Sequence, residues 1–177
     1  RKENQTLTNI VLMGMGEPLH NYQATMEAIQ RLNDERGFHF GARRFTISTA
    51  GIVPGILALS EEKLQINLAV SLHAIDDDQR SAMMPINRRY PLSDVFSACR
   101  IYSERTNRRI TFEWALIENE NDTMYHAEKL ASLIGNILAH VNIIPLNPTS
   151  GFAGHPSSVN KAREFQQALI SRGIPCT

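Results

Sequence analysis

Two hydrophobic rhythms alternate along the chain. Asn9-Ile10-Val11-Leu12-Met13 is a continuous apolar run closed by glycines, the pattern of a strand buried on both faces. Residues 22–36 then set Met26, Ile29 and Leu32 at helical spacing, with Gly37 as the stop. Residues 44–48 predict a second strand, 54–59 a short helix and 65–72 a third strand. A helix follows over 92–105 with Ser93 as its N-cap, and residues 109–117, rich in β-branched and aromatic side chains, predict a fourth strand. Residues 123–138 place Met124, Ala127, Leu130, Ala131, Ile134 and Leu138 on one helical face, and the strand 141–144 comes next. A loop dense in Pro, Gly, Ser and Asn spans 145–156, before a helix over 158–172 with Val159, Ala162, Phe165 and Leu169 turned inward. Strands alternating with helices in this way predict an α/β domain: a parallel sheet with crossover helices, open or rolled toward a barrel.

Composition narrows the picture. The 177 residues include 42% apolar side chains and 18 basic against 18 acidic groups, enough for one folded domain and too balanced for a disordered chain. No run approaches the ~20 apolar residues of a membrane span, so a soluble, cytoplasmic protein is expected. Zero net charge gives no overall attraction for nucleic acid; such a partner would be held by local patches or by other parts of a larger protein. Cys99 and Cys176 are too few for a disulfide framework. Cys99 is expected in the core. The closing Gly173-Ile174-Pro175-Cys176-Thr177 reads as the opening of a strand, so the sequence is expected to be a fragment of a longer chain.

In parallel βα architectures ligands bind past the carboxyl ends of the strands. There stand Gly14-Met15-Gly16-Glu17-Pro18-Leu19, Ser48-Thr49-Ala50-Gly51, Ser71-Leu72-His73-Ala74 and Pro145-Leu146-Asn147-Pro148. Each stretch could be turn chemistry alone; four at one rim favour a polar small-molecule site. The first is no dinucleotide fingerprint, because Leu19 occupies the third glycine position and Pro18 lacks a backbone donor. Two exposed glycines and the Glu17 carboxylate suit a cationic group such as an ammonium.

Taken in series, Gly14-Met15-Gly16-Glu17-Pro18-Leu19, Ile47-Ser48-Thr49-Ala50-Gly51, Ser71-Leu72-His73-Ala74, Met84-Pro85-Ile86-Asn87 and Ile144-Pro145-Leu146-Asn147-Pro148 resemble the radical S-adenosylmethionine methyltransferases. Members of that family modify carbon 2 of an adenine in large-subunit ribosomal RNA and in transfer RNA. The resemblance runs from about Asn9 to Thr177 and implies a partial parallel βα barrel, here truncated at both ends. It also implies S-adenosylmethionine and a four-iron four-sulfur cluster as cofactors, ribosomal and transfer RNA as partners, an external electron donor and a monomer. Carried over by position, Gly16 and Glu17 resemble the turn that receives the cofactor's amino group. Ser48, Ser71, Leu72, His73 and Asn147 resemble the other cofactor contacts. Alternative roles stay open: an N-cap or turn residue for Ser48, an interior histidine for His73, a loop-shaping residue for Asn147.

The family holds its cluster with three cysteines in a C-x-x-x-C-x-x-C segment upstream of the Gly-Glu-Pro turn, and it delivers the methyl group from a cysteine near its C-terminal end. This sequence contains neither, so no catalytic or metal-binding residue is expected within it, and the chain alone is expected to be inactive. Cys176 resembles no such residue. Arg43-Arg44, Arg88-Arg89 and Arg108-Arg109 are candidates for phosphate contact or plain surface charge, and Glu113 and Trp114 are candidate barrel lining. Five of the histidines show no zinc-ligand spacing. Methylation of carbon 8, as in the related resistance enzymes, and a non-catalytic binding module are the competing readings.

Overall fold

The computed structural model describes residues 6–147 and 154–177. Five strands, β1 (Ile10–Leu12), β2 (Phe45–Thr49), β3 (Asn67–Ser71), β4 (Ile110–Leu116) and β5 (Ala139–Pro145), form one sheet in the order of the sequence. Every neighbouring pair is parallel. Between and after them lie α1 (Tyr22–Asn33), α2 (Val53–Ser60), α3 (Asp77–Met83), α4 (Leu92–Thr106), α5 (Met124–Ile134) and α6 (Val159–Ile170). Right-handed crossovers that always step in the same direction put all the helices on one side, which is barrel-type winding rather than the two-sided cover of a doubly wound sheet.

The two faces of the sheet accordingly differ. Phe45, Ile47, Leu68, Val70, Ile110, Phe112, Trp114 and Val141 share one core with helix residues such as Met26, Ile56, Val95, Leu130 and Phe165. Strand alternation turns their neighbours, Thr46, Ser48, Asn67, Ala69, Ser71, Thr111, Glu113, Ala115, His140 and Asn142, to the opposite, helix-free face. That face is small and polar where a filled barrel interior would be Val, Ile and Leu. A sixth extended segment begins where the sequence predicts one: Cys176 bridges in parallel to Val141, and the Thr177 and Val141 backbones bond across it.

Several expectations change in detail. β1 is not buried on both faces, because Val11 is 50% exposed on the helix-free side. Ser93 is not the N-cap of α4; Pro91 occupies that position, and the Leu92 N–H is received at 2.8 Å by Asp77, fifteen residues upstream. α3 and the 3-10 turn Pro85–Arg88 after it are additions; Asp76 caps α3 through the Gln79 N–H. Gly135, at φ 53°, ends α5 early, leaving Leu138 half exposed beyond it, and Met124 and Val159 sit outward in the first turns of their helices. Trp114 is no barrel lining; it stacks on Phe165 of α6 with ring centroids 5.8 Å apart. Residues 148–153, the middle of the loop expected at 145–156, lie outside the described residues.

Candidate functional site

The parallel sheet gathers every expected site residue at its carboxyl rim. After β1, Gly14 (φ 127°) and Gly16 (φ 155°) take conformations that favour glycine, and the chain folds back so that Gly16 N–H donates to Gly14 C=O at 2.9 Å. Their backbones, with Met13, Glu17, Asn21 and Thr25, border an open cleft of about 390 Å³. Glu17 is fixed at both oxygens: Oε1 accepts from the Leu19 N–H at 3.0 Å and Oε2 from the Ala50 N–H at 2.7 Å. The carboxylate therefore laces the first rim loop to the second while keeping further lone pairs for a ligand.

From β2, Ser48 faces the helix-free side, and the next residue, Thr49, turns inward and receives the Gly51 and Ile52 N–H groups with Oγ1, shaping the turn that leads into α2. Ser71 ends β3 on the same face as Ser48, and neither hydroxyl has a hydrogen-bond partner among the described residues. Leu72 is fully buried; its N–H donates to Glu113 C=O and its own carbonyl accepts from Arg80. Asn147 is exposed just past β5.

Arg80 underlies this rim. It is fully buried, and its guanidinium donates to the carbonyls of Ala50 (2.8 Å), Ser71 (2.9 Å) and Leu72 (3.3 Å) and to Asn87 Oδ1 (2.8 Å). Burial lowers its pKa and the nearby Asp77 raises it. Asn87 in turn donates to Asp77, whose Oδ1 also caps α4. One side chain thus ties the ends of β2 and β3 to the 3-10 turn. The Met84-Pro85-Ile86-Asn87 segment contains one partner of this clamp, but Arg80 itself carries no local signal: a charged residue in a polar helical turn reads as surface.

His73 has φ 61°, a left-handed conformation costly for most side chains. Its Nδ1 accepts from the Ala115 N–H at 3.0 Å, and Asn121 Nδ2 donates to its carbonyl at 2.8 Å. An acceptor at Nδ1 means that the proton of the neutral ring sits on Nε2. Burial, and then the Arg80 charge, lower the pKa to about 4, so the ring is a neutral donor at physiological pH.

Across the sheet, register pairs Ser71 with Glu113 and Glu113 with Asn142, a polar row over β3, β4 and β5. Glu113 is 6% exposed and accepts from Asn142 Nδ2 at 2.8 Å; burial raises its pKa, opposed by that hydrogen bond. Of the paired arginines, Arg43-Arg44 and Arg108-Arg109 precede β2 and β4 and so stand at the opposite rim. Arg88 and Arg89 share the rim of the site, beside Asn87. No helix among the described residues is long and apolar enough to cross a membrane.

The arrangement is a row of hydroxyl, carboxylate, amide and neutral imidazole groups with exposed glycine backbone, suited to a polar molecule carrying both donors and acceptors. An iron–sulfur cluster does not fit the chain's own thiols. Cys99 and Cys176 are the two cysteines, both are buried, and burial pushes their pKa values up to about 12 and about 11.

Relatives and solved structures show the family and the fold. The chain is 51% identical over its whole length to dual-specificity RNA methyltransferase RlmN 1 of Myxococcus xanthus, of which it covers 49%. It is 52% identical over 92% of its length to a probable dual-specificity RNA methyltransferase of Opitutus terrae, of which it covers 38%. The chain thus spans half or less of the length of these relatives. A radical SAM methyltransferase from Sphaerobacter thermophilus superposes with a TM-score of 0.95 at 53% identity, over 98% of this chain and 51% of that one. The fold extends further: a domain of the pyruvate-formate lyase-activating enzyme from Bacteroides vulgatus matches with a TM-score of 0.72 over 96% of this chain and 97% of its own, at 13% identity. Residues 1–131 match the model of the radical SAM superfamily. With that match over most of its length and the one-sided parallel winding of its sheet, the chain belongs to the radical SAM superfamily.

Proposed function

We propose that this chain is the S-adenosylmethionine-binding part of an enzyme that methylates carbon 2 of adenine in ribosomal and transfer RNA. The observation that carries the reading is the rim itself: the segments shared with the RNA methyltransferase family converge at the carboxyl ends of β1, β2, β3 and β5 on a face lined with polar groups. Gly16 and Glu17 receive the cofactor's amino group, and Ser48, Ser71 and His73 offer two hydroxyls and one fixed imidazole donor to its carboxylate and adenosine. Asn147 closes the site from β5. Leu72, fully buried with both backbone groups bonded inside the protein, sets the spacing between Ser71 and His73.

S-adenosylmethionine supplies the methyl group and, with a cluster, radical chemistry. The chain's own residues bind and orient it. In this reading the cluster ligands and the methyl-carrying cysteine belong to other parts of the protein, this chain being one core domain, and Arg88 and Arg89 offer phosphate contacts on the same rim. The protein works in the cytoplasm as a monomer with an external electron donor.

An anaerobic assay of the complete protein with methyl-labelled S-adenosylmethionine, a ribosomal RNA fragment and transfer RNA tests the reading. Nuclease digestion and mass spectrometry should yield 2-methyladenosine. 8-Methyladenosine would reassign the position, and cofactor binding without RNA methylation would leave a binding module.

A further inference from the structure

Glu113 is absent from every sequence motif quoted above, yet it is the buried carboxylate on the face where the site lies. Its orientation is fixed by its neighbours. Phe112 tilts against Phe96 of α4 and Trp114 stacks on Phe165 of α6, so the residue between them points to the helix-free side. Register sets it directly beside Ser71 on β3 and Asn142 on β5. Asn142 Nδ2 donates to Oε2, and among the described residues this is the one hydrogen bond to the carboxylate; no cation pairs with it.

Oε2 is held by Asn142, whereas Oε1 meets no donor among the described residues and is not one of their enclosed, unpartnered polar atoms, so it can receive a donor from outside without any change in the fold. The register row thus presents an oriented acceptor on the polar face of the sheet, one that no other group of the described fold uses. It is useful if a ligand brings the missing donor.

We propose that Glu113 is a ligand-contacting residue whose Oε1 accepts a hydrogen bond from the adenosine half of S-adenosylmethionine, with Asn142 holding Oε2. The inference rests on the reading that this rim binds that cofactor. Chemistry selects the adenosine half. The cofactor's own carboxylate would be repelled, and its amino group belongs with Glu17, whose carboxylate reaches the end of β2, two strands away, or roughly 10 Å across the sheet. What remains to donate is the ribose diol or the exocyclic amine of adenine. A carboxylate is acceptor-only when ionised, and it discriminates for such donors because an unmet partner is penalised on both sides.

The test is calorimetry, under anaerobic conditions, on the complete reconstituted protein with two probes, S-adenosylhomocysteine and 5′-methylthioadenosine. Glu113→Gln keeps the shape and, with its one amide oxygen on the Asn142 donor, puts an NH2 donor where the carboxylate offered its free acceptor. It should lower the affinity for both probes by a similar factor of about ten, since both carry the adenosine half. The 2′-deoxy and 3′-deoxy forms of methylthioadenosine and its N6-dimethyl form assign the donor: the analogue lacking it should bind wild type and variant alike. Asn142→Ala, which frees the carboxylate without removing it, should lower affinity about threefold and keeps the test open if Glu113→Gln does not fold. Wild-type affinity for methylthioadenosine in these variants would overturn the role of Glu113 while leaving the cofactor site standing. A wild-type protein that binds neither probe would overturn the site and this inference together.

Discussion

At the scale of single residues, the site is built from groups whose backbone partners decide what they can offer a ligand. Glu17 is the plainest case. Its two oxygens receive N–H groups from two different loops at 3.0 and 2.7 Å. Glu17→Gln must turn an amide N–H toward one of those donors, which should cost roughly 2 kcal/mol of stability as well as cofactor affinity; urea unfolding followed by fluorescence of the single Trp114 reads the first of these. His73 gives a pH signature. Its folded pKa of about 4 lies below the ordinary 6.5, so folding favours the neutral ring. The unfolded chain then binds the proton first as pH falls, and stability declines through the interval from 6.5 down to about 4, by roughly 3 kcal/mol at full extent. His73→Asn, which tolerates the left-handed backbone, should flatten that part of the stability profile. His126 and His140 are also lowered but are present in both proteins, so the difference between the two curves isolates His73.

At the scale of elements, connections are held by groups remote in sequence. Arg80 of α3 serves the ends of β2 and β3, and Arg80→Met would leave the Ala50, Ser71 and Leu72 carbonyls and Asn87 Oδ1 without their donor. With several enclosed acceptors left unmet at about 1 to 3 kcal/mol each, a loss of at least about 3 kcal/mol is expected in chemical denaturation. Gly55 of α2 lies so close to the first rim loop that a β-carbon there would stand 2.6 Å from Leu19 Cβ. Gly55→Ala should therefore destabilise by roughly 1 to 3 kcal/mol and displace the loop that carries Gly16 and Glu17, which a weakened affinity for S-adenosylhomocysteine would report. These elements also mark what was legible in the sequence. All five strands and five of the six helices follow from apolar periodicity, because each has one face in a common core. The α4 cap is invisible to periodicity, which sees only near neighbours, because the Leu92 N–H is received by Asp77 fifteen residues upstream. Gly16, Glu17, Ser48, Ser71 and His73 could be nominated as candidates because motifs past strand ends are local. Arg80 could not, since a buried charge announces itself only once the chain around it is folded; Glu113 could be read as barrel lining, but its partners on β3 and β5 could not.

At the scale of the whole molecule, one-sided winding divides the chemistry of the sheet. The helix side holds the aromatic and aliphatic core, and the other side keeps small and polar groups in register across the strands. The same division removes the thiols from any role at the rim. Cys99, in α4, is fully enclosed in the helix-side core, and Cys176 packs against that core from the extended segment beside β5. Burial pushes their pKa values up to about 12 and about 11, so both are protonated thiols at neutral pH, and metal ligation requires thiolates. A four-iron cluster also needs three cysteine ligands, where this chain has two cysteines in all. The 177-residue chain, supplied with iron and sulfide under anaerobic conditions, should remain without stoichiometric charge-transfer absorbance in the visible, and iodoacetamide at pH 8 should modify neither thiol until denaturant is added. Rapid alkylation of the folded chain would move one of the cysteines out of the core, and a stoichiometric cluster would require a ligand set that its thiols do not provide.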